Sequence, residues 1–379
     1  MQSLLLYLIV FLISSITILF VKTKKLEGIN LKILDIKKME LSITSIKQLL
    51  FYIPVFLLPI LVSGYRYFVG TDYANNMMLF ENLKKANFNE LIRQTNFNEP
   101  FYVFLNRIGS ILFIENSVGI FFLSAIITFY FIYKTILYFK SKYDINTFLS
   151  LWIFYCSFFP LMLNIQRQMI AVSIIAYSYT KLIEKRYVSF IVYCIIATFF
   201  HSSAIIILPM ILLELFRNRM KFVYVILIVS PLFTSTLITL ISDIPFFSKY
   251  FYRYALEKNG LSIISLIEIA IFLIPLFVFK NEIIKKDKNI NILFPISLFT
   301  IPIIFLSSYQ NWFSRSVYYI SILEVVLIPL IIKSQEKKDK YHLMYAGFFL
   351  YFFLYFVLKF YIVGNEEIFP YRTLNFLFE

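Results

Sequence analysis

The sequence predicts an all-α, polytopic integral membrane protein, one domain over residues 1–379, and two observations carry that expectation. The chain is 60% hydrophobic, its apolar residues are gathered into long runs, and its charges cluster in short lysine-rich stretches between them. An α-helix needs about 20 apolar residues to cross about 30 Å of hydrocarbon, and a helix satisfies its own backbone polar groups there.

Taken in order, the runs 4–21, 48–64, 118–139, 147–163, 169–183, 187–200, 203–216, 222–242, 261–279, 290–307, 313–332 and 341–362 give about twelve crossings. The first has no basic residue before it and Lys22, Lys24 and Lys25 just after it, which reads as an uncleaved span with its N-terminus outside. Alternate loops then carry the lysines. Residues 22–47 hold seven, and clusters follow at Lys140/Lys142, Lys181–Arg186, Arg217–Lys221, Lys280–Lys288 and Lys333–Lys340. By the positive-inside rule these loops face the cytoplasm. They account for the net charge of +14, which therefore marks topology and gives no reason to expect nucleic acid as a partner. Outside lie a large segment, 64–117, with an apolar stretch at Phe101–Ile114 expected to form an interfacial helix, and smaller segments at 243–260 and 363–379.

The kind of basic residue differs between the two sides. Cytoplasmic loops use 20 lysines and 3 arginines; the outer side uses 4 lysines and 7 arginines, namely Arg66, Arg93, Arg107, Arg167, Arg253, Arg315 and Arg372. Arginine stays charged and presents a planar fork of donors that fits phosphate or carboxylate oxygens. Headgroup anchoring accounts for Arg93 and Arg107, while the others are candidates for holding an anionic group.

Two hairpins sharpen this reading. Only 30 residues separate Arg186 from Arg217, so two crossings average about 22 Å of helix each and their turn at His201 sits below the outer surface. Arg167 occupies the same place in the preceding hairpin. Packed side by side, the hairpins bring Arg167, Gln168 and His201 to one polar cavity open to the outside.

Histidine titrates near neutral pH and can take a proton from a ligand hydroxyl, although a histidine tying two helix ends together fits His201 equally well. Asp72, in Gly70-Thr71-Asp72-Tyr73, either caps the following helix or serves as a base or hydroxyl contact. Glu99, before Pro100, and Glu257, near Arg253, can orient a polar ligand. Arg315, Tyr371 and Arg372 return to the outer face. Glu268 and Glu324 lie inside spans, where a carboxylate is usually paired, and Lys134 is a candidate partner. Cys156 and Cys194 read as packing residues. The sequence contains no D-x-D, no phosphate-binding G-x-x-x-x-G-K-[ST], no H-E-x-x-H and no C-x-x-C, so no metal ligands and no cofactor are expected.

Five motifs stand in order along the chain: R-x-x-x-G-T-D-Y at Arg66–Tyr73, N-E-P-F at Asn98–Phe101, R-Q-x-x-A at Arg167–Ala171, F-H-x-S-A at Phe200–Ala204, and P-Y-R at Pro370–Arg372. With them the chain resembles the EpsG-type exopolysaccharide proteins, related to the Wzy-type polymerases of O-antigen and capsule. It departs from that pattern at Asn75 and Asn76, near which the family often has a tyrosine, and at Arg372, where lysine is common. The resemblance implies a GT-C-like helical bundle with an outer-face cavity. It also implies polymerisation of undecaprenyl-diphosphate-linked repeat units by metal-independent, inverting glycosyl transfer, in the lipid bilayer and with a chain-length regulator as partner. In that chemistry Arg167, with Arg315, Arg253 or Arg66, steadies the diphosphate leaving group. His201 activates the acceptor hydroxyl, with Asp72 second; Gln168, Glu99, Tyr371 and Arg372 hold sugars or close the mouth. A lipid-linked oligosaccharide flippase, an O-antigen ligase and an acyltransferase are the alternatives. A transporter places its site near the midplane, often between repeats, whereas the polar residues here gather at outer turns.

Overall fold

The computed structural model describes residues 2–21, 43–95, 99–114, 116–242, 263–309 and 311–373. The first half runs α1 (Gln2–Thr17), α2 (Ile43–Gly64), α3 (Tyr73–Leu83), α4 (Phe88–Thr95), α5 (Pro100–Leu112), α6 (Val118–Tyr143), α7 (Thr147–Ser157), α8 (Phe159–Asn164), α9 (Gln166–Ile183) and α10 (Tyr187–Phe200). A long 3₁₀ run, Ser202–Arg219, leads to α11 (Met220–Val229) and α12 (Thr234–Ser242). The remainder is α13 (Ile263–Val278), α14 (Lys280–Lys286), α15 (Leu293–Leu298), α16 (Thr300–Ser307), a 3₁₀ segment Asn311–Val317, α17 (Tyr318–Ser321), α18 (Glu324–Lys333), α19 (Lys338–Phe356) and a π-helical turn, Val357–Ile362. Among the described residues there is no strand, only an isolated bridge between Arg66 and Thr373.

α7 and α9 form the centre. From Leu149 to Ser157 every residue of α7 is buried, and α9 exposes only Arg167, Tyr177 and Lys181 in part. α6 and α10 pack on α9, while α1, α18 and α19 pack on α7. α7 starts where the Asn146 side chain accepts a hydrogen bond from the Leu149 amide, which satisfies one of the free N–H groups of its first turn. α5 and α6 approach closely because Gly109 faces Gly119, where a Cβ would lie 2.5 Å from the Gly109 carbonyl. The outer elements turn apolar side chains outward, as Leu215 (79% exposed) and Leu232 (80%) illustrate, the pattern of helices solvated by lipid.

The twelve crossings expected from hydropathy are not what the described residues contain. Six helices are long and apolar enough to cross a membrane, or up to seven if the bent pair α13/α14 is one span. Expected crossings within 147–163 and 187–200 form helices too short to qualify, and 203–216 and 222–242 merge in one helical run, Ser202–Leu240. Hydropathy counts apolar residues, whereas breaks such as Ile165 (ψ 51°) and His201 (ψ 116°) divide the runs in ways it does not register. Lys134 is also not the partner of an intramembrane glutamate. Its ammonium stands over the rings of Tyr130 and Tyr177 (4.9 and 5.3 Å), while Glu268 pairs with Lys359 at 3.1 Å.

The lysine clusters are stitched together at one end of the bundle. Lys142 pairs with Asp287 (2.8 Å), Lys333 with Asp144 (2.7 Å), and Lys286 donates to the Lys333 carbonyl (3.2 Å). Arg217 reaches Asn289 at 3.3 Å. These contacts put four of the predicted cytoplasmic loops on the same side.

Candidate functional site

At the opposite helix ends, the α9–α10 region, the α2–α3 loop and the 3₁₀ segment 311–317 enclose a narrow cleft of about 30 Å³. Its walls carry Asp72, Arg167, Gln168, His201 and Arg315, together with Asn76, Asn164 and Gln166. Five of the side chains expected to act together thus meet, although they come from four separate stretches of chain.

Glu99 joins two of them. One carboxylate oxygen lies 2.9 Å from Arg167 Nη1 and the other 2.5 Å from His201 Nδ1, and the Ser202 amide donates to it at 3.3 Å. His201 ends α10 in an extended conformation, which turns its ring toward α5. Glu99 itself is left-handed, φ 52°, directly before a proline, a conformation that costs a non-glycine residue about 1–3 kcal/mol and fixes the carboxylate between its partners. Burial opposes its charge. The hydrogen bond and charge of His201, then Arg167 and the Ser202 amide, outweigh that and hold its carboxyl down at about 2.

Asp72 and Arg315 face each other more loosely at 3.9 Å, with Arg315 56% exposed. Asp72 makes no side-chain cap to α3, so its carboxylate is left to the cleft. Gln168 is buried, and its Nε2 donates to the Arg315 carbonyl at 2.7 Å, which positions the Arg315 segment. Its Oε1 is sealed from solvent and has no hydrogen-bond partner among the described residues.

Asn164 is the residue that sequence reasoning missed. It ends α8 at the Ile165 break, and its Oδ1 accepts from the Thr71 hydroxyl (2.9 Å) and the Asp72 amide (2.7 Å), while its Nδ2 donates to Glu366. Gly70 allows this contact: at φ 95° it lies so close that a Cβ would sit 2.6 Å from the Leu163 carbonyl. The signal available was the polar run Asn164, Gln166, Arg167, Gln168 between apolar stretches. Glu366 gave none, being 202 residues away from its partner.

Arg66 lies beneath the cleft rather than on it. It is 1% exposed, donates to Gln166 (2.8 Å) and the Ser63 carbonyl, and stacks on Phe121 at 4.2 Å. Burial lowers it to about 10, so it remains charged at neutral pH. From Gln166 the network continues to the Tyr102 hydroxyl (2.5 Å) and on to Asn76 (3.0 Å), forming a buried polar floor. Tyr371 and Arg372 are likewise absent from the lining. Tyr371 donates to the Val62 carbonyl (2.9 Å) and the Arg372 carbonyl accepts from the Tyr67 amide (2.9 Å), contacts that dock the C-terminal tail. Arg253 and Glu257 fall outside the described residues, as does the segment 243–260. Among the described residues no three histidine, cysteine or carboxylate side chains converge as metal ligands.

The several apolar helices and the lipid-facing side chains mark a membrane protein. The chain belongs to the EpsG family, whose profile matches residues 49–373, most of its length, and which is a Wzy-like polysaccharide polymerase family. No curated protein and no solved structure matches it.

Proposed function

We propose that this polymerase joins undecaprenyl-diphosphate-linked oligosaccharide repeat units of an exopolysaccharide, capsule or O-antigen on the outer face of the cytoplasmic membrane. An acceptor sugar hydroxyl attacks the anomeric carbon of the growing chain. The bond from that carbon to the diphosphate oxygen breaks, undecaprenyl diphosphate leaves, and the hydroxyl proton passes to His201.

The observation that supports this most is the shared carboxylate, Glu99, between His201 and Arg167 on the wall of one cleft. With Nδ1–H donated to Glu99, His201 Nε2 is left as the proton acceptor, and the carboxylate stabilises the imidazolium that forms. The leaving diphosphate gathers negative charge as the bond breaks, and Arg167 with Arg315 meets it as preorganised donors. Arg315, loosely held by Asp72, is free to close on the diphosphate, and Asp72 accepts from sugar hydroxyls. Chain length is then set with a regulator as partner.

The test is a strain lacking this gene, complemented with wild type, Arg167→Ala or His201→Ala, with glycans displayed on a gel and protein level checked by blot. The expected result is a ladder with wild type and single repeat units with either variant. Repeat units trapped on the cytoplasmic side in the deletion strain would instead identify a flippase.

A further inference from the structure

A second cavity of about 160 Å³ lies inside the bundle, between α13, α16, α18, α19 and the segment 311–317. Its walls carry five serines and three tyrosines, together with Glu268, Glu324 and Lys359. Ionisable side chains within spans are expensive and mark function by default.

Two of the charged groups sit where a helix is irregular. Glu324 begins α18 just after the break that ends α17, so the span Phe313–Lys333 is interrupted at its middle. Lys359 lies in the π-helical turn Val357–Ile362, a form that recurs at functional sites. Glu268 precedes the Pro275 of α13 and meets Lys359 at 3.1 and 3.3 Å, and Lys359 also donates to the Tyr355 hydroxyl at 2.5 Å. Among the described residues nothing hydrogen-bonds the Glu324 carboxylate, which is left facing the cavity.

Resting on the polymerase reading, we propose that this cavity is a saccharide-binding subsite that holds one sugar of the lipid-linked glycan beside the reaction cleft. The two cavities share walls. Leu161 lines the one and Asn164 the other, three residues or about 4.5 Å along the same helix, and in the segment 311–317 Ser314 lines the inner cavity while its neighbour Arg315 lines the cleft. Hydroxyls that both donate and accept, carboxylates that accept, and tyrosine rings that cover apolar ring faces match a polyol. A metal ion fits poorly, because the Lys359 ammonium already occupies the cation position at Glu268. The inner cavity, at about 160 Å³ against about 30 Å³ for the cleft, is the roomier of the two.

The test uses the purified full chain in lipid nanodiscs. The probe is the lipid-free repeat-unit oligosaccharide released by mild acid from the cell's own lipid-linked glycan, titrated by calorimetry against wild type, Glu324→Gln and the cavity-filling Ser321→Phe. Binding is expected to weaken at least tenfold in both variants, and ladders in complemented cells to shorten to a few units rather than collapse to one. Thermal stability separates this from a structural role: removing an unpaired carboxylate from an apolar span leaves stability equal or higher in Glu324→Gln, whereas a structural carboxylate would lower it. Wild-type binding and wild-type ladders in both variants would overturn the subsite while leaving the polymerase reading intact. A wild-type protein that builds no ladder would overturn the polymerase reading itself.

Discussion

The two polar ends of the bundle use ionic contacts for opposite purposes. At the lysine-rich end the ion pairs join one loop to another at the surface: Asp144 is 63% exposed between Lys140 and Lys333. Such pairs contribute about 0–1 kcal/mol each and serve to join loops. At the other end Glu99 is 15% exposed and shared by two partners, Arg315 stands 3.9 Å from the Asp72 carboxylate, and Gln168 keeps an unmet acceptor. Pairing between loops makes a clasp at one end; at the other the charged side chains gather around one cleft.

The comparison is broken most directly at His201 and Arg167. His201→Ala removes the proposed proton acceptor and should lower polymer synthesis about 10²- to 10⁴-fold at normal protein level. Arg167→Ala should cost a comparable factor, and Arg167→Lys should recover only part of it, because an ammonium keeps the charge but not the fork. Ladder intensity in complemented cells reads all three.

Glu99→Gln should follow, with about 10- to 100-fold lost, and combining it with His201→Ala should add little, because the two act as one unit. The same residue gives a pH signature. Its carboxyl is held at about 2 against an ordinary value of 4.5, so its stabilisation is complete above about pH 4.5 and declines as pH falls towards 2. The difference in melting temperature between wild type and Glu99→Gln in detergent should therefore be constant from neutral pH to about 4.5 and shrink below it.

Asn164→Ala removes three hydrogen bonds at once and should lower stability by about 1–3 kcal/mol, with a several-fold loss of polymer. The smallest effect belongs to the other end: Lys333→Ala should leave the ladder unchanged and shift stability by less than about 1 kcal/mol, measured by melting in detergent.

How much of this was legible in the sequence depended on distance along the chain. Arg167, Gln168 and His201 could be brought together because short hairpins place their turns at one level, and the lysine clusters could be assigned to one side because charge sets topology. Asn164 and Glu366 could not be matched, since nothing local records a contact between residues so far apart. Arg66 misled in a different way: composition does not distinguish an arginine sealed against Phe121 from one facing a cleft. The expected span number was not matched among the described residues, where irregular helix, as at Val357–Ile362, and breaks such as Ile165 reshape runs that hydropathy treats as uniform.

The tie from Asn164 to Glu366 also has a consequence for the order of synthesis. Glu366 lies beyond α19, so the loop carrying Asp72 gains its last anchor only after that helix has been made and threaded into the bundle. A nascent chain halted before that point would hold Arg167, His201 and Glu99 but lack the strap over Gly70–Asp72. The strap over that loop is therefore the last part of the cleft's surroundings to be put in place.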